Sequence, residues 1–130
     1  MPRRHTLLLI VATALAAPAL GHAADKAAQK GTFLPISDLA ASAPRLSGGH
    51  GVMTVEAGLD IPDPALFDKA SEDQPRLRDA FAQVLQAYAG GLPAGQLPDI
   101  DYMAARLQAA TDRTLGRPGA RLLLGGVMVN

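Results

Sequence analysis

The stretch MTVEAGLDI, residues 53–61, alternates apolar residues with polar or small ones along its whole length. Successive side chains of a β-strand point to opposite faces, so this period of two predicts a strand with one row on the core. The other row, Thr54, Glu56, Gly58 and Asp60, is predicted to face solvent. Pro62-Asp63-Pro64 ends the strand, because proline lacks the N–H that a sheet ladder needs and restricts the residue before it.

A second extended segment precedes this strand. Residues 32–43, TFLPISDLAASA, read as a strand interrupted by Pro35, which suits the edge of a sheet. Residues 47–51, SGGHG, form a turn cluster between the two apolar runs. The two segments are therefore predicted to pair as a hairpin.

Two helices are predicted to follow, because apolar residues recur three and four positions apart. The first runs from about Pro75 to Tyr88, and Gly90-Gly91 ends it. The second runs from the N-cap residue Asp99 to Leu115. Gly116 stops it. The predicted core rows are Leu77, Ala80, Phe81, Val84, Leu85 and Tyr88 in the first helix, and Ile100, Met103, Ala104, Leu107, Ala110 and Thr111 in the second.

The chain closes on RLLLGGVMVN, residues 121–130, a nearly continuous apolar run. Such a run is typical of a central strand that is covered on both faces. Its glycine pair, Gly125-Gly126, indicates a bulge or a close backbone approach. The predicted fold is thus α+β, a small antiparallel or mixed sheet with two helices in the order β-β-α-α-β.

Residues 1–23 have the pattern of a secretory signal peptide. Arg3 and Arg4 precede a 14-residue apolar run over residues 7–20, and small residues follow at Gly21 and Ala23. As a helix this run would be about 21 Å long, short of the ~30 Å core of a bilayer. We therefore predict cleavage before Ala24 and a periplasmic product without a membrane span, with an uncleaved inner-membrane anchor as the alternative. The arginine pair leaves general secretion and twin-arginine export both open. Residues 24–31 read as a flexible tether, and residues 32–130 as one domain.

Composition removes several classes of function. The 130 residues carry 12 Lys and Arg against 12 Asp and Glu, so the electrostatic excess of a nucleic-acid-binding protein is absent. The chain has no cysteine, which excludes disulfides, thiolate zinc sites and cysteine nucleophiles. After cleavage of the predicted signal, His50 is the one histidine left.

For each residue that could take part in catalysis or hold a metal ion, the sequence also predicts a structural role. His50 lies between glycines and is predicted to be an exposed turn residue. The carboxylates of Asp60 and Asp63 could serve acid–base chemistry or hold Ca²⁺, but aspartates beside prolines usually cap turns. Asp99 and Asp101 are accounted for by helix capping. The arginines of the C-terminal region, Arg106, Arg113, Arg117 and Arg121, read as part of a solvated mixed-charge face. No catalytic, cofactor-binding or metal-ligating residue is assigned, and no cofactor is expected.

The order of elements resembles the periplasmic domain of the FliL-like family, the flagellar basal-body-associated proteins. The resemblance rests on Phe33-Leu34-Pro35-Ile36, on the alternating residues 51–59, on Pro75–Asp79 (PRLRD), on Leu107-Gln108 and on the closing Val127–Asn130. It implies a compact α+β domain that acts by binding other proteins, as family members support the stator of the flagellar motor. The family normally keeps an N-terminal transmembrane helix, where this chain has a predicted cleavable signal.

The leading hypothesis is therefore a non-enzymatic periplasmic interaction or scaffold domain, linked to the flagellar motor or to assembly of the cell envelope. Its expected partner is a protein of the periplasm or of an inner-membrane complex, with homo-oligomerisation as a further option. The alternative is a small carrier of apolar ligands, which would need an open pocket lined by Phe81, Leu85 and Leu107. A hydrolase is the weakest reading, because the chain shows no recognisable nucleophile, base or metal set.

Overall fold

The computed structural model describes residues 31–130. Within them the chain forms β1 (Phe33–Pro44), β2 (His50–Asp60), α1 (Pro64–Glu72), α2 (Gln74–Gly91), α3 (Ile100–Leu115) and β3 (Arg121–Val129). The predicted α+β class is confirmed. The predicted signal peptide, residues 1–23, and all but the last residue of the predicted tether, residues 24–31, lie outside the described residues.

The three strands form one antiparallel sheet in the order β1-β2-β3. The predicted hairpin is confirmed, since Pro44 pairs with His50 and Phe33 with Asp60. The prediction that the last run is a central strand is wrong: β2 is central, and β3 lies at an edge with most of its residues exposed. An apolar run with no polar alternation resembles a doubly covered strand, but here the helices pack mainly against β1 and leave much of β3 open.

The core lies between the helices and one face of the hairpin. β1 contributes alternating buried residues such as Leu34 and Ile36, and β2 contributes Met53, Val55 and Leu59. The helical rows point inward as predicted, although Ile100 remains 43% exposed. The largest side chains that are buried on the helices are Leu66, Leu77, Phe81, Leu85, Met103, Leu107 and Leu115.

The described residues contain three helices, where the sequence predicted two. α1 begins directly after Asp63, whose side chain accepts a hydrogen bond from the Ala65 N–H at 3.2 Å, and Pro64 occupies the first turn. The Pro-Asp-Pro segment therefore ends one element and begins the next. In this nine-residue helix only Leu66 and Ala70 are buried, one turn apart, so its apolar periodicity is too short to stand out in the sequence.

The ends of α3 follow the sequence signals, but α2 does not stop before Gly90-Gly91 as predicted: both glycines belong to the helix, which ends at Gly91. The Asp99 carboxylate accepts from the Tyr102 N–H at 3.0 Å at the start of α3, and Gly116 ends that helix in the left-handed region at φ 78°. Lys69 of α1 donates its Nζ to the Leu115 carbonyl at 2.7 Å, where the negative end of the α3 dipole favours a cation. This contact ties α1 to the end of α3.

Among residues 31–130, no helix combines the length and the hydrophobicity that crossing a bilayer requires.

Candidate interaction surface

His50, the histidine of the described residues, lies in an open turn. The Gly48 N–H donates to the Arg45 carbonyl at 3.1 Å, and both Gly48 and Gly49 have positive φ angles. His50 is the exposed first residue of β2, as predicted. No group of three or more His, Asp and Glu side chains in residues 31–130 is arranged to hold a metal ion.

The two aspartates at the end of β2 have separate structural partners. Asp63 caps α1 and pairs with Arg117, while the carboxylate of Asp60 lies 3.5 Å from the guanidinium of Arg121. The hydrogen bond from Arg117, followed by that from the Ala65 N–H, holds the pKa of Asp63 below its ordinary value of 3.8. Asp63 thus caps a helix, where the sequence predicted a turn, and the two carboxylates do not converge on a common point.

The aspartates at the start of α3 also have a structural role. The Asp99 N–H donates to the Tyr88 hydroxyl at 2.6 Å, while the Asp99 side chain caps the helix. The Tyr88 and Tyr102 rings lie 5.8 Å apart, and the guanidinium of Arg106 is 5.9 Å from the Tyr102 centroid. These contacts fasten the α2–α3 loop to the helices. The capping role predicted for Asp99 is confirmed, and Asp101 is exposed in the first turn.

The face of the sheet that points away from the helices is more apolar than predicted. Of the row expected in solvent, Glu56 is exposed and Thr54 and Asp60 are half-buried, but Gly58 is mostly covered. A Cβ on Gly58 would collide with the Phe33 ring, so this ring lies over the glycine. Exposed apolar side chains on the same face are Phe33, Val52, Leu123 and Met128, the last with 59% of its surface accessible.

The outer edge of β1 is obstructed. Pro35 has no N–H, and the register shifts between Ile36 and Leu39. Two glutamines of α2 also occupy this edge: Gln74 donates to the Pro35 carbonyl at 2.9 Å, and Gln86 accepts from the Ser42 N–H at 3.4 Å. Proline, irregularity and side-chain capping are the devices that keep an edge strand from pairing with another chain.

The outer edge of β3 presents backbone groups that meet few partners within residues 31–130. Val52 and Asn130 exchange both of their backbone hydrogen bonds, at 3.2 and 3.0 Å. Hydrogen-bonded and non-hydrogen-bonded pairs alternate in an antiparallel ladder, so Val129 and Val127 turn their N–H and C=O groups away from β2. Among the side-chain hydrogen bonds of residues 31–130, one reaches this edge, from the Leu122 N–H to the Gln108 Oε1 at 2.8 Å.

A bulge interrupts β3 at its glycine pair, where the sequence indicated a bulge or a close backbone approach. Val127 pairs with Val55 and Leu124 with Ala57, so the two glycines oppose the single residue Glu56. The Gly126 N–H donates to the Glu56 Oε2 at 3.3 Å, and a Cβ on Gly125 would lie 3.2 Å from the Glu56 Cβ. A side chain at position 125 would therefore press on Glu56.

The helix-side face of β3 is covered at one end and open at the other. At the Leu122 end α3 supplies Gln108, which also donates to the Ala120 carbonyl at 2.8 Å. At the Val129 end lies a hollow of about 240 Å³ between the strand and the α2–α3 loop. Its apolar lining residues are Pro44, Leu92, Pro93, Leu97, Pro98, Val127 and Val129. Leu97 is 85% exposed, so the rim of this hollow is unprotected.

We use the name β3 edge for the outer side of residues Leu122 to Val129 with its exposed side chains Leu123, Met128 and Val129. Arg121 is the one charged residue of the strand, and it faces Asp60. The sequence did not point to this edge, because the apolar run of β3 was predicted to lie in the centre of the sheet. The signal was the apolar run itself, which is as compatible with an exposed edge strand as with a central one.

Comparison of the sequence with models of known protein families finds no match, and neither curated proteins nor solved structures are significantly similar to the chain.

Proposed function

We propose that this protein is a non-enzymatic, periplasmic protein-interaction module that binds its partner through the β3 edge. The observation that carries the proposal is an apolar edge strand of nine residues whose outward backbone groups meet one capping side chain, that of Gln108, among the described residues. Long apolar edges are templates for pairing with another strand. In strand addition the backbone hydrogen bonds supply affinity, and alternate side chains supply specificity.

The contrast between the two edges of the same sheet supports this assignment. β1 is closed to pairing by Pro35, by the register shift and by two glutamines of α2. On β3 no proline interrupts the strand, and one glutamine reaches it, near its first residue. An uncovered edge beside a protected one is expected where the open edge has a use, since unprotected edges otherwise promote aggregation.

The resemblance to the FliL-like family supports an envelope partner, in the periplasm or in an inner-membrane complex such as the flagellar motor. Export by residues 1–23 is part of the same proposal, because that segment has the pattern of a signal peptide. Export to the periplasm supports an envelope protein as the partner, and the open β3 edge supports strand addition as the mode of binding.

The carrier alternative has less support. The side chains that would line its pocket, Phe81, Leu85 and Leu107, are completely buried in the core. A larger surface hollow, about 570 Å³, is lined by polar or charged groups of α1 and α2, among them Glu72, Gln74, Arg78 and Asp79. A site for an apolar ligand is expected to be enclosed and mostly apolar instead.

Photo-crosslinking in living cells tests the proposal. A photo-reactive residue replaces Met128, which is exposed beside the β3 edge, and the matched control carries it at Gln83, exposed on the outer side of α2. We expect mass spectrometry of the adducts from position 128 to identify one envelope protein, or this chain itself. We expect no such adduct from position 83. Absence of any protein adduct at position 128, or the same adducts from both positions, would contradict the proposal.

A further inference from the structure

We infer that the groove between α2 and α3, on the outer side of the helical layer, binds an acidic amphipathic helix of a partner protein. We call this site the α2–α3 groove. It extends from Arg76 and Arg113 at one end to Tyr88 and Tyr102 at the other, and two hollows of about 310 and 230 Å³, both lined by Val84, form it. The groove lies away from the β3 edge, so the inference goes beyond the proposed function and does not depend on it.

The α2–α3 groove has the length that a short helix needs. The two helices run antiparallel, since Arg76 and Arg113 line the same hollow and the Tyr88 and Tyr102 rings lie 5.8 Å apart at the other end. About 12 residues of α2 separate the two ends, which is roughly 18 Å, or three turns of a bound helix.

The floor of the groove is apolar and recessed. Ala80 and Val84 of α2 are half-buried there, and Met103 and Ala110 of α3 are buried. These small or buried side chains let another helix approach closely, and apolar residues three and four positions apart on that helix would cover them. A face that enters a membrane surface carries protruding Leu, Phe or Trp side chains instead, and none is found among the described residues that line this groove.

The charged side chains that line the groove are arginines. Arg76 stands on the α2 wall, and Arg106 and Arg113 stand on the α3 wall. No carboxylate is among the described lining residues, although acidic residues outnumber basic ones in residues 31–130. Arg106 and Arg113 are about two turns apart, roughly 10 Å, which matches two carboxylates seven positions apart on a partner helix. Charge complementarity therefore favours an acidic partner.

The aspartates of α3 lie on the flank away from the groove. Asp112 accepts a hydrogen bond from Gln108 at 3.0 Å, and Gln108 also binds the backbone at the start of β3. Asp101 lies two turns before Gln108 and thus on the same flank. Arg106 and Arg113 line the hollows that α3 shares with α2, so the positive and negative charges of this helix are separated and not mixed.

The contacts that hold the groove arginines are weak and lie within their own helices or at their ends. The guanidinium of Arg76 is 3.6 Å from the carboxylate of Asp73, and the Arg113 Nε donates to the carbonyl four residues before it at 3.4 Å. Arg106 lies 5.9 Å from the centroid of the Tyr102 ring. Exposed ion pairs of this kind contribute little, so carboxylates of a partner can take their place and form charge-assisted hydrogen bonds with the guanidinium groups.

Peptide binding tests the inference. The probe is a fluorescent helical peptide of about 14 residues, with leucines along one face and two glutamates seven positions apart, and the matched peptide has glutamines in their place. The full-length chain is expressed in cells and the protein is recovered as it is processed there. We expect the glutamate peptide to bind about tenfold more tightly than the glutamine peptide at low salt, and the preference to shrink as salt rises.

Variants of single arginines locate the binding site. Arg106→Gln and Arg113→Gln are made separately, and Arg78→Gln is the matched control, because Arg78 is exposed on α2 but lines the polar hollow beside α1. We expect each groove variant to weaken binding of the glutamate peptide about threefold or more and to leave binding of the glutamine peptide unchanged. Arg78→Gln is expected to change neither. Circular dichroism verifies that each variant is folded.

Equal affinity for the two peptides, or the same loss in Arg78→Gln as in the groove variants, would overturn the acidic helix as the occupant. Cosedimentation with phosphatidylglycerol vesicles tests the other source of negative charge. Binding of the native protein to these vesicles that Arg113→Gln abolishes, together with equal affinity for the two peptides, would assign the groove to a membrane surface and overturn the inference. Crosslinking at position 128 is a separate measurement, so either result leaves the test of the β3 edge unaffected.

Discussion

At the scale of single residues, the stability of the domain depends on side chains at the middle of the helical rows. Leu85 of α2 is completely buried and belongs to the cluster that joins the helices to the hairpin. His50 is its opposite, an exposed residue at the end of a turn. The two residues make a matched pair for testing where the free energy of unfolding comes from.

Leu85→Ala is expected to lower the free energy of unfolding by about 2–5 kcal/mol, because it removes buried methyl groups and leaves a cavity. His50→Ala is expected to leave it nearly unchanged. Urea denaturation of both variants beside the native protein measures the difference. An unaltered midpoint for Leu85→Ala would show that this face of α2 does not pack on the sheet.

Asp63 makes the stability of the domain depend on pH. Its pKa in the folded state is lowered below 3.8, mainly by Arg117, so its ionised form stabilises the fold at pH values above the unfolded pKa. This contribution is lost as the pH falls below about 4 and through the folded pKa. Asp63→Asn keeps a capping side chain but removes the charge. We expect the stability difference between native protein and variant to shrink between about pH 6 and pH 3; a constant difference would contradict this role of the ion pair.

At the scale of secondary structure, the ends of the elements are specified by local side chains. α3 is the clearest case, with Asp99 at its start and with Gly116 and the Lys69 ammonium at its end. These groups satisfy backbone N–H and C=O groups that have no partner inside the helix. The signals of Asp99 and Gly116 are local in the sequence, which is why the bounds of α3 agree with the prediction.

Asp99→Ala is expected to cost about 0.5–2 kcal/mol of stability, because the Tyr102 N–H loses its acceptor. Asp99→Asn retains an oxygen at the same place and is expected to lose much less. Thermal unfolding followed by circular dichroism compares the two variants. Equal losses in both would mean that the charge of Asp99, and not its capping hydrogen bond, stabilises the helix.

At the scale of the whole molecule, the three helices of the described residues cover one face of a three-stranded sheet. They lie mainly over β1, so the sheet is asymmetric, with a protected edge at β1 and an open edge at β3. This asymmetry leaves β3 as the edge at which the proposed strand addition would occur.

Processing of the whole chain is tested by intact mass. We expect protein recovered from a periplasmic extract to begin at Ala24, because Gly21 and Ala23 place small residues before that bond. A variant with Ala23→Arg is expected to be processed poorly, since signal peptidases require a small residue there. Recovery of the native chain at full length in the membrane fraction would instead identify residues 1–23 as an anchor.

The hairpin, the two longer helices and the caps of α3 could be predicted from local sequence, whereas the end of α2 could not. Each depends on interactions within a few residues: the period of two in residues 53–61, the apolar rows of α2 and α3, and the signals at Asp99 and Gly116. It also indicated the bulge at Gly125-Gly126, since glycine inside a strand often marks a bulge. Local patterns also predicted the place of His50 in a turn and the role of Asp99 as a helix cap.

Which strand is central, and what each face of the sheet contacts, depends on how distant elements pack. The apolar run RLLLGGVMV is compatible with an edge strand and with a central strand. Hydrophobicity indicates that a residue favours burial, but it does not indicate which element buries it. That neighbour depends on where distant helices pack: α2 places Gln74 and Gln86 along β1, whereas α3 reaches β3 through Gln108. The open β3 edge is therefore a property of how the elements assemble, which no local pattern contains.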